Sequence, residues 1–206
     1  MQMLRIHPVN PQLRLVRQAA EALRAGALMV YPTDSGYALG CRLGDKEGIE
    51  RIRRIRELPD HHHLTLICRD LSELGQYARV DNSQYRLLKS LTPGAYTFIL
   101  RATREVPRRL QHPKRKTIGL RVPDHPVALS LLAELDEPIL SSTLILPSSA
   151  QPLTDPHEIG ERLGSQIDLL IDAGLTQAEP TTVVDLLEGP PVVVRPGAGD
   201  LRMVGA

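Results

Sequence analysis

The stretch Ala27-Leu-Met-Val-Tyr-Pro-Thr-Asp-Ser-Gly-Tyr-Ala-Leu-Gly-Cys41 decides the fold class of this sequence. It contains two apolar runs, residues 27–31 and 37–41, which are too short for stable helices and typical of buried strands. Between them, Pro32 and the segment 33–36, Thr-Asp-Ser-Gly, predict a turn. Ligands of α/β sheets usually bind at such strand ends. The same residue types also build ordinary polar turns, and for the segment alone the plain turn is the better interpretation.

Helices and strands alternate on both sides of this stretch. Upstream, Asn10 and Pro11 predict the first turn of a helix that Gly26 ends. Downstream, residues 47–57 predict a helix that turns three isoleucines inward, and further apolar runs bounded by glycine and proline follow. We expect about seven strands, no internal repeat and no linker, and therefore a single domain over residues 1–206 built on one mixed, wound α/β sheet.

Composition limits the class of protein. The 206 residues are 42% hydrophobic, which is enough for a core, but with one Phe and no Trp they offer few aromatic surfaces on which bases could stack. Cys41 and Cys68 are too few for a disulfide framework, and we predict two buried thiols. Arg5, His7 and Pro8 interrupt the N-terminus where a signal peptide needs an apolar run, and no later run is long enough to span a membrane. We expect a cytoplasmic protein.

Charge is distributed unevenly along the chain. Residues 1–125 contain 22 Lys and Arg against 12 Asp and Glu, whereas residues 126–206 contain 3 against 12. The first part therefore has a formal charge of +10 and the second of −9, although the whole chain is +1. This asymmetry favours a surface that attracts an anion, such as a nucleotide or an RNA phosphate. The alternative is that the two parts interleave in space and give an evenly charged surface.

A first basic cluster occupies the predicted helix at residues 47–57. Its arginines are Arg51, Arg53, Arg54 and Arg56. Guanidinium groups hold phosphate oxygens through two hydrogen bonds, but a solvated helix face is the more ordinary interpretation of Arg51 and Arg54. Arg56 differs because it stands at the helix end, where the chain turns toward a predicted cleft. The histidines at 61–63 follow, and three consecutive imidazoles cannot all face one ion from a regular strand, so we predict no metal site.

A second basic stretch lies between two predicted strands and has little apolar periodicity. Its cations are Arg101, Arg104, Arg108, Arg109, Lys114, Arg115 and Lys116. Clustered charge of this kind suits contact with a phosphate backbone, and a flexible solvated loop is the equally ordinary alternative. From both clusters, the candidate RNA-binding residues are Arg54, Arg108, Arg109, Lys114, Arg115 and Lys116.

Taken in order, these segments resemble the YrdC/YciO family over nearly the whole chain. The resemblance is carried by residues 31–40, 53–66, 93–97 (Pro-Gly-Ala-Tyr-Thr), 119–123 (Gly-Leu-Arg-Val-Pro), 141–143, 181–185 and 195–197 (Arg-Pro-Gly). The catalytic members of the family are threonylcarbamoyl-AMP synthases, which act in the threonylcarbamoyladenosine modification of tRNA. The resemblance implies a YrdC-like α/β fold, a twisted, open, mixed sheet with flanking helices and a concave, basic cavity.

The resemblance also implies roles for individual residues. A synthase of this family joins L-threonine, bicarbonate and ATP, with Mg²⁺, and releases pyrophosphate. By position, Thr33 and Ser35 would contact the threonine, and Arg56 replaces the first lysine of the cleft. Thr181 and Arg195 match residues near the nucleotide phosphates. With the other matched positions, the candidate substrate- and nucleotide-binding residues are Thr33, Ser35, Tyr37, Arg56, His62, Arg121, Ser142, Thr143, Thr181 and Arg195, and no catalytic base is identified.

The sequence departs from the synthase pattern at three places. The pattern Lys-x-Arg ends here in Leu58, the following Lys-Pro is His62-His63, and the expected Asn is Ile145. A lost cation or orienting group removes stabilisation of the charge that develops on a triphosphate. The YciO branch of the family is therefore the closer match.

Three functions stay open at this point. The first is an enzyme of threonylcarbamoyl chemistry, either a weak L-threonylcarbamoyladenylate synthase or a hydrolase that removes the threonylcarbamoyl group. The second is a non-catalytic module that binds tRNA or double-stranded RNA, as the resemblance also implies. The third is a non-enzymatic partner protein with a vestigial cleft.

Overall fold

The computed structural model of the protein describes residues 1–59, 62–147, 149 and 151–205. Within these ranges, eleven strands join in one mixed sheet. The strands are β1 (Gln2–Arg5), β2 (Met29–Thr33), β3 (Gly36–Arg42), β4 (Thr65–Ile67), β5 (Ala78–Arg79), β6 (Tyr96–Ala102), β7 (Thr117–Arg121), β8 (Ile139–Thr143), β9 (Leu169–Asp172), β10 (Thr182–Asp185) and β11 (Val192–Arg195). Their order across the sheet is β1-β9-β2-β3-β8-β4-β7-β6-β10-β11, and β5 pairs with β6 beside this path.

Six α-helices are described with this sheet. They are α1 (Leu13–Arg24), α2 (Lys46–Arg56), α3 (Leu71–Tyr77), α4 (Asn82–Leu91), α5 (Pro126–Leu135) and α6 (Pro156–Leu163). Local sequence explains several starts: the side chains of Asp45 and Asp70 accept backbone N–H groups of α2 and α3, and α5 begins with a proline at its first position. Among the residues described, no helix combines the length and apolar character that crossing a bilayer requires.

The mixed α/β sheet predicted from the sequence is confirmed, with more strands than the seven expected. β1 and β5 contain four and two residues, too few for a hydrophobic period to be recognised. The predicted helix start at Asn10 and Pro11 is wrong, because α1 begins at Leu13 and the backbone N–H of Asn10 donates to Nδ1 of His7. The helix does stop before Gly26, whose φ of 93° favours glycine.

Hydrophobic layers cover both faces of the sheet. On one face, α1 and α5 bury residues such as Val16 and Leu131 against Ile139 of β8 and its neighbours. On the other face, the three inward isoleucines of α2 pack with α3, α4 and α6 in a second layer, as the helical period predicts. Cys41 and Cys68 are free, buried thiols, as expected.

The face that α1 and α5 cover continues beyond these helices. Ile139 lies under the helices, and Ser141, two residues further along β8, points the same way because strand side chains alternate. Ser141 lies opposite Thr65 of β4, and Thr65 lies opposite Gly119 of β7. Residues opposite one another in paired strands share a face. At β8, β4, β7, β6 and β10, a cavity therefore occupies this face in place of a helix.

Candidate functional site

The cavity has a volume of about 290 Å³, near the lower end of the range of small-molecule sites. Three threonines on strands, Thr65, Thr97 and Thr117, build its floor together with Gly119. A Cβ at Gly119 would lie 3.2 Å from Oγ1 of Thr65 and 3.4 Å from Cγ2 of Thr97. Because glycine has no side chain, the space beside Thr65 and Thr97 in the cavity floor stays unfilled.

Two arginines from distant parts of the chain converge on this cavity. Arg56, at the end of α2, donates from Nε to the carbonyl oxygen of Ile145 at 3.0 Å and from Nη1 to Oγ of Ser142 at 2.5 Å. Arg195, at the end of β11, donates from Nη2 to the carbonyl oxygen of Thr181 at 2.9 Å. These neutral partners hold both guanidinium groups in place without neutralising their charge.

No carboxylate lines the cavity among the residues that the structure describes. Burial lowers the pKa of Arg56, and the nearby positive charge of Arg195 lowers it further. Burial also lowers the pKa of Arg195. A third lining arginine, Arg115, forms an ion pair with Asp185 at the cavity edge. An anionic ligand would supply the negative charge that Arg56 and Arg195 lack.

The structure places some of the predicted site residues at the cavity and others away from it. Of the ten candidate substrate- and nucleotide-binding residues, those that line the cavity are Arg56, His62, Ser142, Thr143, Thr181 and Arg195. Those that are buried outside its lining are Thr33, Ser35, Tyr37 and Arg121.

Three of these four form a separate buried cluster with Asp34. Arg121, which is 4% exposed, pairs with Asp34, and its Nη1 donates to Oγ of Ser35 at 2.7 Å. Oγ1 of Thr33 donates to the carbonyl oxygen of Gly36 at 2.6 Å and accepts the backbone N–H of Ser35 at 3.2 Å. The turn between β2 and β3 is thus closed by its own hydroxyl and held to β7 by a buried ion pair.

Two tyrosines on neighbouring strands lie on opposite faces of the sheet. Tyr37 is buried in the layer on the α2 side, where its hydroxyl donates to the carbonyl oxygen of Gly174 at 2.8 Å and burial raises its pKa to about 12. Tyr31 lies on the cavity side and donates to Oγ of Ser141 at 2.9 Å. Ser141 in turn donates to the carbonyl oxygen of Leu39 at 2.9 Å. The hydroxyl of Ser141 is therefore engaged both as acceptor and as donor.

Three histidines, His62, His63 and His112, line one side of the cavity. The ring centroids of His63 and His112 are 4.9 Å apart, with 33° between the ring planes. Nδ1 of His112 accepts the backbone N–H groups of Lys114 and Arg115 at 3.2 Å and 3.1 Å. The backbone thus fixes the ring of His112, and this ring contacts His63.

A groove of about 410 Å³ adjoins the cavity and shares a wall with it. The described residues that line the groove are Arg53, His62, His63, Leu64, Arg108, Arg109, Leu110, Gln111, Pro113 and Lys116. We call this surface the basic groove, because it contains four Lys and Arg and, among those residues, no Asp or Glu. Of the predicted RNA-binding residues, Arg108, Arg109 and Lys116 line it, Arg115 lines the cavity, and Arg54 and Lys114 are exposed outside both.

Sequence reasoning missed the threonine floor and His112. The three threonines had a recognisable signal, because each is a polar position in an otherwise largely apolar strand. His112 carries no such signal, since its place at the cavity depends on the pairing of β6 with β7 around the connecting loop. Asp60 and His61, which the sequence groups with the following two histidines, lie outside the described residues.

A family model named for the Sua5, YciO and YrdC proteins, described as Telomere recombination, matches residues 21–197. YciO of Escherichia coli strain K12, described as an uncharacterized protein, is 58% identical over 197 residues, 96% of each chain. A threonylcarbamoyl-AMP synthase of Pyrococcus abyssi is 30% identical over 191 residues, which are 92% of this chain and 56% of the synthase.

The fold is shared with a solved structure as well. The crystal structure of P. abyssi Sua5 complexed with L-threonine matches with a TM-score of 0.87 at 28% identity, covering 96% of this chain and 58% of the other. The open mixed sheet with flanking helices, which the resemblance of the sequence implies, is thereby confirmed.

Proposed function

The chain belongs to the Sua5/YciO/YrdC family, and we propose that its cavity binds an adenosine nucleotide whose N6 atom carries a threonylcarbamoyl group and removes that group by hydrolysis. The observation that carries this proposal is the pair of guanidinium groups, Arg56 and Arg195, in a cavity whose described lining contains no carboxylate. Guanidinium groups bind phosphate oxygens with strong, directed hydrogen bonds. We propose that the reaction takes place in the cytoplasm.

The charge of the cavity favours one phosphate over a triphosphate. Among the described lining residues, the arginines held by neutral partners are Arg56 and Arg195, because Arg115 is paired with Asp185. Leu58, which stands in the place of a synthase cation, packs against the hydrophobic core. A Mg²⁺ ion that accompanied ATP would be held by phosphate oxygens and water, since the described lining supplies no carboxylate. These features suit a nucleotide monophosphate better than the condensation of ATP.

The floor of the cavity suits the threonylcarbamoyl group. Oγ1 of Thr97 and Oγ1 of Thr181 are 2.8 Å apart and hydrogen-bonded, and Thr65 and Thr117 add further hydroxyls. Hydroxyls both donate and accept, so they match the carbonyl and hydroxyl oxygens of the group. Ile145, in the position of the synthase Asn, adds an apolar wall against which the methyl group of the threonyl part can pack.

The proposal is tested with threonylcarbamoylated substrates. The protein is incubated with N6-threonylcarbamoyladenosine 5′-monophosphate and, separately, with tRNA that carries the modification, and the nucleosides are quantified by mass spectrometry. We expect the modified nucleoside to disappear and adenosine to accumulate. A parallel incubation with ATP, L-threonine and bicarbonate measures pyrophosphate release and reports the synthase direction.

Two variants make this test specific. Arg56→Gln removes a cavity charge, and Arg86→Gln, an exposed arginine of α4, is the matched control. We expect the first variant to lose activity and the second to keep it. Release of the group no faster than in buffer alone overturns the proposal, and pyrophosphate release without any loss of the modified nucleoside assigns the synthase direction instead.

RNA binding without catalysis is a second candidate, and the basic groove favours it. The groove is continuous with the cavity through His62 and His63, and its cations Arg108, Arg109 and Lys116 are exposed. An RNA strand could place one nucleotide in the cavity and its neighbouring phosphates in the groove. Such binding is driven by release of counterions and weakens as salt concentration rises.

Filter binding of tRNA and of a double-stranded RNA at several salt concentrations tests this candidate. We expect the logarithm of the affinity to fall linearly with the logarithm of salt concentration, and the double variant Arg108→Gln/Arg109→Gln to reduce the slope by about 1.5 to 2. An affinity that does not change with salt excludes the groove as an RNA site.

A further inference from the structure

The lining of the cavity contains few groups that can carry a proton during hydrolysis. Arginine stays protonated, and serine and threonine hydroxyls are poor bases. Ser141 is occupied by Tyr31 and the backbone, and Ser142 accepts a hydrogen bond from Arg56. Among the described lining residues, imidazole is therefore the only side chain suited to accept and return a proton near neutral pH.

The hydrogen bonds of His112 assign it a different role from that of a base. Its Nδ1 accepts the backbone N–H groups of Lys114 and Arg115, so in the neutral ring the proton must lie on Nε2. A neutral ring in this state can donate at Nε2 but has no lone pair left to accept a proton there. The ring of His112 is therefore held in place, and in its neutral form it can donate a hydrogen bond from Nε2.

The ring of His63 contacts the fixed ring of His112. Its centroid is 4.9 Å from that of His112, and it lines both the cavity and the basic groove. The side chain is exposed, so its replacement does not remove a buried part of the core. His63 therefore shares the cavity lining with Arg56 and Arg195, and solvent water can reach its exposed side chain.

We propose that His63 is the general base of the hydrolysis and that His112 is a positioning residue that holds its ring; this inference rests on the function proposed above. The oxygen of a water molecule bonds to the carbamoyl carbon while His63 takes one proton from the water. The bond between that carbon and N6 of the adenine then breaks, and its electron pair stays on N6. Protonated His63 returns the proton to N6, and the products are the unmodified adenosine nucleotide and N-carboxythreonine, which takes up a proton and releases carbon dioxide and threonine.

The experiment compares four proteins on N6-threonylcarbamoyladenosine 5′-monophosphate: the wild type and the variants His63→Asn, His112→Asn and His157→Asn. His157 lies on α6 outside the cavity and is the matched control. We expect His63→Asn to lower kcat about a hundredfold with KM changed less than about threefold, because general base catalysis contributes on this scale. Added imidazole is expected to restore part of the kcat of His63→Asn and to leave His112→Asn unchanged.

Asparagine at position 112 keeps an acceptor near the place of Nδ1 but removes the ring that contacts His63. We expect an intermediate loss of kcat for this variant, with unchanged binding of AMP by calorimetry. If His63→Asn keeps more than a third of the wild-type kcat, or if imidazole restores nothing, His63 is not the base although the proposed function stands. If the wild type itself releases no threonylcarbamoyl group, the proposed function fails and this assignment fails with it.

Discussion

The protein holds its arginines near the sheet in two different ways. At the end of β7, Arg121 is buried and paired with Asp34 and Ser35, so its charge is matched inside the fold. In the cavity, Arg56 and Arg195 are held by carbonyl and hydroxyl oxygens, and no described carboxylate lines the space between them. The first arrangement holds the turn between β2 and β3 to β7, and the second leaves two positive charges that no described lining residue neutralises.

The difference separates Arg121, whose ion pair lies inside the fold, from Arg56 and Arg195, which we propose to bind the substrate. A buried charge that loses its partner destabilises the folded state, because its desolvation is no longer compensated. A charge that is held only by neutral partners and lies next to a second positive charge adds no favourable ion pairing to the folded state until an anion binds. We therefore expect substitutions in the Arg121 region to change stability and substitutions in the cavity to change binding. Four measurements test this contrast.

The largest effect is expected from Arg121→Gln. This change leaves the carboxylate of Asp34 without its partner, and breaking a buried pair in this way costs about 3–5 kcal/mol. Guanidinium chloride unfolding should show this loss in the free energy of unfolding. The double variant Asp34→Asn/Arg121→Gln should recover part of it. A loss below about 1 kcal/mol in the single variant would assign the ion pair no structural role.

Removal of a cavity arginine should act on binding instead. For Arg56→Gln or Arg195→Gln, we expect the affinity for AMP to fall about tenfold to a hundredfold, since a hydrogen bond to a charged group contributes about 1.5–3 kcal/mol. The free energy of unfolding should stay unchanged or rise, because one of two neighbouring positive charges is gone. Calorimetry and denaturant unfolding measure both quantities. If Arg56→Gln or Arg195→Gln lowers the free energy of unfolding as much as Arg121→Gln does, the proposed difference between the two regions is wrong.

A smaller effect is expected from Gly119→Ala at the cavity floor. The added Cβ would lie 3.2 Å from Oγ1 of Thr65 and 3.4 Å from Cγ2 of Thr97, in space that a ligand needs. We expect the affinity for AMP to fall about tenfold, as for one extra methyl group in a tight pocket. The unfolding midpoint should shift little, because the methyl group enters the cavity. Unchanged affinity would show that the ligand does not reach this part of the floor.

The smallest effect is expected in the pH dependence of the free energy of unfolding, through His125 in the Arg121 region. Burial lowers the pKa of His125 below its ordinary value of 6.5, although the charges of Asp34 and Asp124 oppose this shift. The unfolded chain therefore binds more protons than the folded chain as pH falls through 6.5, so the free energy of unfolding should decrease below that pH and stay level above it. Unfolding of the wild type and of His125→Asn across this range measures the effect. An equal slope in both proteins would exclude His125 as its source.

Local pattern predicted many of the helices and strands, the resemblance of ordered segments indicated the family, and neither located all of the residues that line the cavity. The inward isoleucines of α2, the stop before Gly26 and the buried cysteines follow from period and composition within a few residues. The start of α1 did not follow, because its N-cap is Gln12, which makes no side-chain capping bond. Before the helix, the backbone N–H groups of Val9 and Asn10 donate to Nδ1 of His7, so these residues form a turn that the residue types at 10 and 11 did not indicate.

The predicted site residues also differ in whether the structure places them at the cavity. Thr33, Ser35, Tyr37 and Arg121 belong to matched segments but lie outside the cavity lining. Strand alternation turns Tyr37 to the other face, and the other three belong to the buried cluster with Asp34. Tyr37 is the clearest case, since its side chain lies in the core layer on the opposite face of the sheet from Ser141. The residue type was visible in the sequence, and the face was not.

The α/β class and the supply of arginines, hydroxyls and histidines could be read from the sequence, because they depend on composition and on short-range period, and the family was indicated by the resemblance of its ordered segments. Which of these side chains meet depends on the three-dimensional arrangement of the strands. Pairing of β8 between β3 and β4, and of β10 beside β6, brings Ser142, Thr181 and Arg195 to Arg56. Strand pairing joins segments far apart in the chain through backbone hydrogen bonds, which depend little on the identity of the side chain. The local sequence therefore carries little information about which guanidinium lacks a carboxylate partner.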